Sequence, residues 1–237
     1  FKKASELGII CFSSPFSEEA VDFLEELNTP AYKIASFENS HIPLIKKVAL
    51  TKKPIIISSG LASLSELNKS IEIIKKYGSG DFAVLKCTSS YPANPKNSNI
   101  LSIPHMKKLF NCEIGLSDHT LGIGASIAAI SHGASIIEKH FTIDRSEGGV
   151  DSAFSLDPSE LNSLVVESRR AWESLGSVKY GPTDDEKKSL IFRRSIYVAE
   201  DLNKGEKLTK KNLRIVRPGL GISPKYYNLL LNKKVIK

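Results

Sequence analysis

Cysteine is scarce in this chain of 237 residues: Cys11, Cys87 and Cys112 stand far apart, with no ligand-like spacing between them. That excludes a disulfide-stapled scaffold and a Cys-rich zinc module, and it suits a reducing cytoplasm. Long apolar runs are also missing. No stretch of about 18 apolar residues occurs, which excludes a helical membrane span. No charged-then-apolar leader ending in a small-residue cleavage site is visible in these residues. With 41% hydrophobic and 25% charged residues the composition is that of an ordinary soluble protein. The length suits one large domain, or one domain with a small appendage.

Acidic residues are in short supply only at one end. From Lys187 onward 14 Lys and Arg face Glu200, Asp201 and Glu206, a net +11, whereas the preceding 186 residues carry 19 against 23, a net −4. A basic tail raises the idea of a nucleic-acid arm. This one also holds a full apolar set, including Ile191, Phe192, Ile196, Val198, Leu208, Leu213 and Val216. It is expected to fold.

What the chain has in abundance is one repeated unit. Short apolar runs rich in Ile or Val appear at "LGIICFSS", "AYKIAS", "KPIIISS", "FAVLKCT", "EIGLSD" and "SIIEKHFT", each followed by a helical pattern. At Ser63 a capping box with Glu66 opens a helix whose Leu64, Leu67, Ile71 and Ile74 step three, four, three until Gly78. Asp157 as cap, Pro158 at the first position, Leu161, Leu164 and Val165 inward and Gly176 as stop predict another. Near-continuous apolar strands alternating with helices mean a parallel sheet covered on both faces.

Polar residues gather at the C-terminal ends of all six runs: Ser13 and Ser14, Ser36 and Glu38, Ser58 and Ser59, Thr88, Ser117 and His119, His140 and Thr142. A doubly wound sheet would concentrate them at one switch point, so a (β/α)8 TIM barrel is favoured. Eight units are needed and six are visible, and Phe1 lies in what reads as a helix; the expectation is a barrel lacking its first two β/α units. The longest irregular stretches, "SSYPANPKNSN" and "IDRSEGGVDSAFSL", are expected to be functional. "GSVKYGPTDDEKKS" has linker composition. The predicted division is residues 1–176 for the partial barrel, 177–189 for the linker and 190–237 for a small β-rich module.

Two histidines, His119 and His140, end adjacent predicted strands. Two imidazoles with water or substrate oxygens suit a divalent ion in an open site, although either ring could simply hydrogen-bond at a strand end. His41, His105 and His132 fall in helical or loop patterns and carry no such signal. Lys33 lies inside an apolar strand, where a lysine needs a partner. It could form a Schiff base, bind a carboxylate or phosphate, or snorkel to the rim. Glu38 is a candidate acid or base, and Ser58, Ser59 and Gly60 before a helix suit a phosphate. In "EIGLSDHT" Ser117 and His119 share strand parity, while Asp118 points the other way as a structural acceptor. These residues describe a metal-assisted barrel enzyme acting on an anionic, phosphorylated substrate.

Six motifs in order, "SSPFS", "AYKIASFE", "PIIISSGLAS", "LKCTSSYPA", "IGLSDHTLG" and "EKHFT", resemble the sialic acid synthase (NeuB-like) family, which condenses phosphoenolpyruvate with an N-acetylated amino sugar. The tail "RRSIYVAEDLNKGEKLTKKNLRIVRPGLGISPKY" resembles that family's antifreeze-like (SAF) domain, and the resemblance implies that its last turns are cut at Lys237. "FTIDRSEGGVDSAFSLDP" and "KIASFE" look like the pseudaminic acid branch; the N-acetylneuraminate branch usually has a Gly-Pro-Asp-His form of that loop.

By position, the resemblance implies that His119 and His140 hold Mn²⁺ or Mg²⁺. It implies that Ser14, Lys33, Ser36, Ser58 and Ser117 surround phosphoenolpyruvate and that Glu38 manages protons. Ser89 and Tyr91 would line the substrate pocket, and Asp151 would bind the sugar. Arg217 would reach the other subunit's site in a homodimer with swapped SAF domains. The family's first two strands carry a further carboxylate and a second substrate-binding lysine that have no counterpart here, so the implied activity belongs to a longer protein. No nucleic-acid or membrane partner is implied.

Three other readings compete. An N-acetylneuraminate or legionaminate synthase would use the same site, a Schiff-base aldolase would use Lys33, and a basic binding module would use the tail.

Overall fold

Five parallel strands form one sheet in which spatial order equals chain order: β1 (Tyr32–Ile34), β2 (Ile55–Ser58), β3 (Phe82–Cys87), β4 (Glu113–Asp118) and β5 (Ile136–Lys139). The computed structural model describes all residues, Phe1–Lys237, which divide into two units, Phe1–Gly176 and Ser177–Lys237. In the first unit the strands alternate with α1 (Lys2–Glu6), α2 (Glu18–Glu26), α3 (Ile42–Leu50), α4 (Leu64–Tyr77), α5 (Ser102–Phe110), α6 (Gly124–Ser131) and α7 (Pro158–Leu175). Serial order without reversal is the wiring of a barrel rather than of a doubly wound sheet.

The helices form where their ends are chemically marked. Ser17 accepts the Ala20 amide at the start of α2, and reciprocal capping boxes, Ser63 with Glu66 and Asp157 with Glu160, open α4 and α7. Each such cap contributes about 1 kcal/mol by satisfying amides that the first turn leaves free. One sheet face meets these helices. Ile34, Ile57, Val84, Ile114 and Leu116 pack against Leu44, Ile45, Val48, Ile71, Ile74, Ile103 and Phe110 in one buried cluster. A large aliphatic side chain buried there contributes roughly 1.5–3 kcal/mol.

The other face is concave. Lys33 on β1 and Glu138 on β5 stand at opposite edges, yet Nζ and Oε2 are 3.5 Å apart. In a flat sheet four strand spacings would separate them by roughly 19 Å, more than both side chains can span. The sheet is therefore curled into an arc of a barrel. Gly115 permits the curl, since a Cβ there would lie 2.4 Å from the Ile136 carbonyl and 2.5 Å from a Leu85 methyl.

Several expectations need correction. "LGIICFSS" is not a strand: it makes one parallel bridge, Ser13 to Tyr32, and Ile9 and Ile10 are 61% and 77% exposed. Its apolar side chains have no second layer to pack on, so the run stays irregular. Val165 does not point inward; it is exposed beside Trp172, where α7 overhangs the free β5 edge, and only Leu164 of the expected trio is fully buried. "SIIEKHFT" ends as a regular strand at Lys139, after which Phe141 bridges Leu156.

In the second unit, 3-10 turns over Asp185–Phe192 begin inside the expected linker. Strands β6 (Ser195–Val198) and β7 (Leu213–Val216) pair antiparallel, and α8 (Tyr227–Leu230) follows. With two four-residue strands it is less β-rich than its sequence suggests. Ile196 and Leu213 are its buried apolar pair, and the Asn212 side chain fixes the turn through the Thr209 amide and the Lys207 carbonyl.

Candidate active site

Strand parity assembles the site. Side chains two residues apart share a sheet face, and the register aligns Cys87 with Ser117 and Ser117 with Glu138. The concave face thus carries Lys33, Ser58, Cys87, Ser117 and Glu138, and His119 and His140 follow one step beyond the last two. Lys33, 8% exposed, donates to Ser58 Oγ at 2.8 Å and to the Ile34 carbonyl at 3.3 Å. Glu138 joins the two edges: its Oε1 accepts from Ser117 Oγ at 2.6 Å, and its Oε2 faces the Lys33 ammonium. A buried ammonium without such partners would cost several kcal/mol.

Beside this bridge lies a cluster of rings. The His119 and His140 centroids are 5.2 Å apart; Tyr91 stands 4.3 Å from His119, and Phe154 5.1 Å from His140. His119 Nδ1 lies 3.0 Å from the Thr88 carbonyl, and His140 Nδ1 lies 3.3 Å from Asp151 Oδ2. The Thr88 carbonyl accepts from His119 Nδ1, which leaves Nε2 as the lone-pair atom of that ring when neutral; Asp151 lies beside His140 Nδ1 as a charge partner.

Burial and the charge of His119 push the His140 imidazole below its ordinary pKa against the pull of Asp151 and Glu138. Burial also opposes charge on His119, but hydrogen bonds to Cys87 and Thr88 outweigh it and raise its pKa. The Cys87 thiol is pushed up by burial and pulled down further by His119 and Ser36, to about 7.

The loops above β1 and β2 complete the rim. Ser36 Oγ donates to Cys87 Sγ at 3.2 Å, and Ser89 Oγ is 3.8 Å from the same sulfur. Asn39 ties the loops together by donating to the Ser58 and Gly60 carbonyls at 3.2 and 2.8 Å. Gly60 leaves room for these hydroxyls, because a Cβ would fall 2.2 Å from Ser89 Oγ and 2.5 Å from Ser36 Oγ and both would have to turn away. Glu38, at the end of a 3-10 turn (Ser36–Glu38), has a buried Oε2 with no partner.

The structure brings together Lys33, Ser36, Ser58, Ser89, Tyr91, Ser117, His119, His140 and Asp151 through these contacts. Ser14 follows the Ser13 bridge, half-buried, and makes no side-chain hydrogen bond to the group. Arg217 belongs to the second unit, exposed after β7. Sequence reasoning missed Glu138 and Cys87. The rule that singled out Lys33, a charge inside an apolar strand, applied equally to Glu138, two residues before His140.

A divalent ion fits the donor set found here. No group of three or more His, Cys, Asp or Glu side chains converges as a closed metal cage. Two imidazoles 5.2 Å apart instead suit an open site whose other positions go to water or substrate oxygens.

Residues 1–180 match the model of the NeuB family, and residues 193–237 match that of the SAF domain. The chain belongs to the NeuB family. This NeuB-family chain is 43% identical to a pseudaminic acid synthase of Campylobacter jejuni subsp. jejuni serotype O:2, over all of the chain and 69% of that enzyme. A pseudaminic acid synthase of Helicobacter pylori is 42% identical, again over the whole chain and 70% of the relative. Among solved structures, an N-acetylneuraminic acid synthetase from Leptospira borgpetersenii serovar Hardjo-bovis superposes with a TM-score of 0.75 at 35% identity. That match covers 80% of this chain and 66% of the other.

Proposed function

We propose that the chain carries the condensing site of a pseudaminic acid synthase. The enzyme joins phosphoenolpyruvate, a 2,4-diacetamido-2,4,6-trideoxy hexose and water to give a nine-carbon sialic-acid-like sugar and phosphate. One observation carries the reading: the Lys33 and hydroxyl cluster meets the imidazole pair on one concave face, in a chain 43% identical end to end to such a synthase.

Phosphoenolpyruvate brings about three negative charges, which call for a cation and several donors. Lys33 and the hydroxyls of Ser14, Ser36, Ser58, Ser89 and Ser117 bind its carboxylate and phosphate. Asp151 holds the sugar, and the Tyr91 and Phe154 rings exclude water. A divalent ion, Mn²⁺ or Mg²⁺, held by His119 and His140 would polarise the sugar aldehyde when bound. The enol C3 forms a bond to the aldehyde carbon, and Glu38 manages the proton at the new hydroxyl. Water adds at C2; Glu138, which already accepts from Ser117, takes its proton. The C2–O bond then breaks and phosphate leaves.

We also read the curled five-stranded sheet, with the Ser13 bridge to Tyr32 at its edge, as part of an eight-unit barrel. Arg217 is assigned to the substrate anions of a second copy in a homodimer, and the cytoplasm is the expected compartment. No helix is long and apolar enough to cross a membrane.

A phosphate-release assay on the full protein tests the activity, with phosphoenolpyruvate, Mn²⁺ and either the trideoxy diacetamido hexose or N-acetylmannosamine. Release with the first sugar is expected. Release only with the second moves the reading to the neuraminate branch, and release with no N-acetylated hexose overturns it.

A further inference from the structure

Behind the two histidines, on the helix-facing side of the sheet, lies a buried ion pair that the proposed chemistry does not use. Lys139 Nζ is 3.1 Å from Asp118 Oδ2, with side chains 4% and 1% exposed. Every polar atom of the pair is occupied. Asp118 Oδ1 accepts the Thr120 amide at 2.8 Å, Oδ2 accepts Ser126 Oγ at 2.7 Å, and Lys139 also donates to the Thr120 carbonyl.

Burying an ammonium and a carboxylate costs several kcal/mol per ion before their attraction is counted, and an apolar pair is often as stable. Stability alone is therefore a weak reason for this pair. Its location supplies a stronger one. Asp118 and Lys139 are register partners and the last paired residues of β4 and β5. The next residue on each strand is a histidine of the site, His119 or His140, beyond the regular ladder. Lys139 also grips both flanks of His119, through the Asp118 carboxylate and the Thr120 carbonyl. Beyond the strand ends the imidazoles otherwise meet through ring contacts, with each other and with Tyr91, and Lys139 adds the polar tie between the two segments.

We infer that the Asp118–Lys139 ion pair is a positioning device that fixes His119 relative to His140 from the opposite face of the sheet. Neither residue touches substrate or ion; both act through the backbone of their neighbours. The inference rests on the reading of His119 and His140 as the ion-holding pair, and the test separates the two.

Mn²⁺ affinity of the 237-residue chain is measured by calorimetry and electron paramagnetic resonance, alongside melting curves and circular dichroism. The double variant Asp118→Asn/Lys139→Met removes both charges together, leaving no lone buried ion. The expected result is native circular dichroism with a dissociation constant for Mn²⁺ raised 10- to 100-fold, the loss typical when the support of a metal-bound histidine is removed. If this variant does not fold, Asp118→Asn/Lys139→Gln keeps hydrogen-bonding atoms and is measured instead. Wild-type affinity in a folded double variant, with affinity lost in His119→Ala, overturns the positioning role and leaves the ion site standing. Absence of Mn²⁺ binding by the wild-type chain overturns both.

Discussion

Glu38 shows how far a single side chain departs from what folding alone would select. Its Oε2 is the one buried side-chain oxygen or nitrogen in the chain without a hydrogen-bond partner, an arrangement that typically costs about 1–3 kcal/mol or more. A group kept in that state is better matched to a substrate than to its own fold. Glu38→Gln keeps the shape and removes the charge. It is expected to lower kcat/KM about 10²- to 10⁴-fold, the usual contribution of a positioned acid or base, while the melting temperature stays level or rises. Retained activity, or a large fall in stability with activity lost only in proportion, would remove Glu38 from the chemistry.

At the scale of elements, the segment between β5 and α7 carries Asp151 and Phe154 into the ring cluster, and Arg145 ties it down. Arg145 Nε and Nη2 donate to the Ser155 carbonyl at 3.0 and 2.7 Å, and the guanidinium also meets the Asp157 and Glu160 carboxylates of the α7 capping box. The loop is thus clasped to the start of a helix. Arg145→Ala is expected to raise the KM for the sugar about tenfold, leaving kcat and the KM for phosphoenolpyruvate within about threefold. Arg145→Lys should not rescue it, because a point charge cannot replace the planar fork. Equal changes for both substrates would assign Arg145 to general stability.

The same loop illustrates what the sequence made legible. The capping boxes of α4 and α7 were readable because their signals are local, a cap and its third neighbour. His119, His140 and Ser117 were readable because strand parity is local too. Glu138 was readable only as a charge inside an apolar strand: its pairing with Lys33 depends on curvature that brings the far edges of the sheet together, and no short window records that. "LGIICFSS" failed as a strand for the converse reason, since its pattern describes a partner layer that is not beside it. The Asp118–Lys139 pair needed register, because twenty residues separate its members in the chain.

At the scale of the whole molecule, 26 acidic residues offset 33 Lys and Arg, and several of those carboxylates are held below their ordinary pKa values. The Ser63 hydroxyl and amide lower Glu66, the Glu160 amide and Ser159 hydroxyl lower Asp157, and the Ser135 hydroxyl and Lys107 lower Glu113. Burial pushes Glu25 up, but hydrogen bonds from Lys53 and Tyr32 outweigh it, so Glu25 also ends below its ordinary value.

A lowered folded-state pKa means that the unfolded chain takes up protons first as the pH falls. The stability these groups supply is complete above the unfolded values, 4.5 for Glu and 3.8 for Asp, and is lost as the pH drops through the lower folded values. Protonation also leaves the basic residues unopposed, which adds self-repulsion in the same direction. Between pH 7 and 5 the histidines work against each other. The raised pKa of His119 adds stability as the pH falls, and the lowered pKa of His140 removes it. Melting temperatures should therefore change little from pH 7 to 5 and fall steeply below about 4.5. Glu66→Gln should melt lower at pH 7, because its cap is weakened, and converge on the wild type at pH 3. A melting temperature independent of pH between 5 and 3, or a gap between the two proteins that does not close in acid, would show that these carboxylates are not what the folded chain depends on.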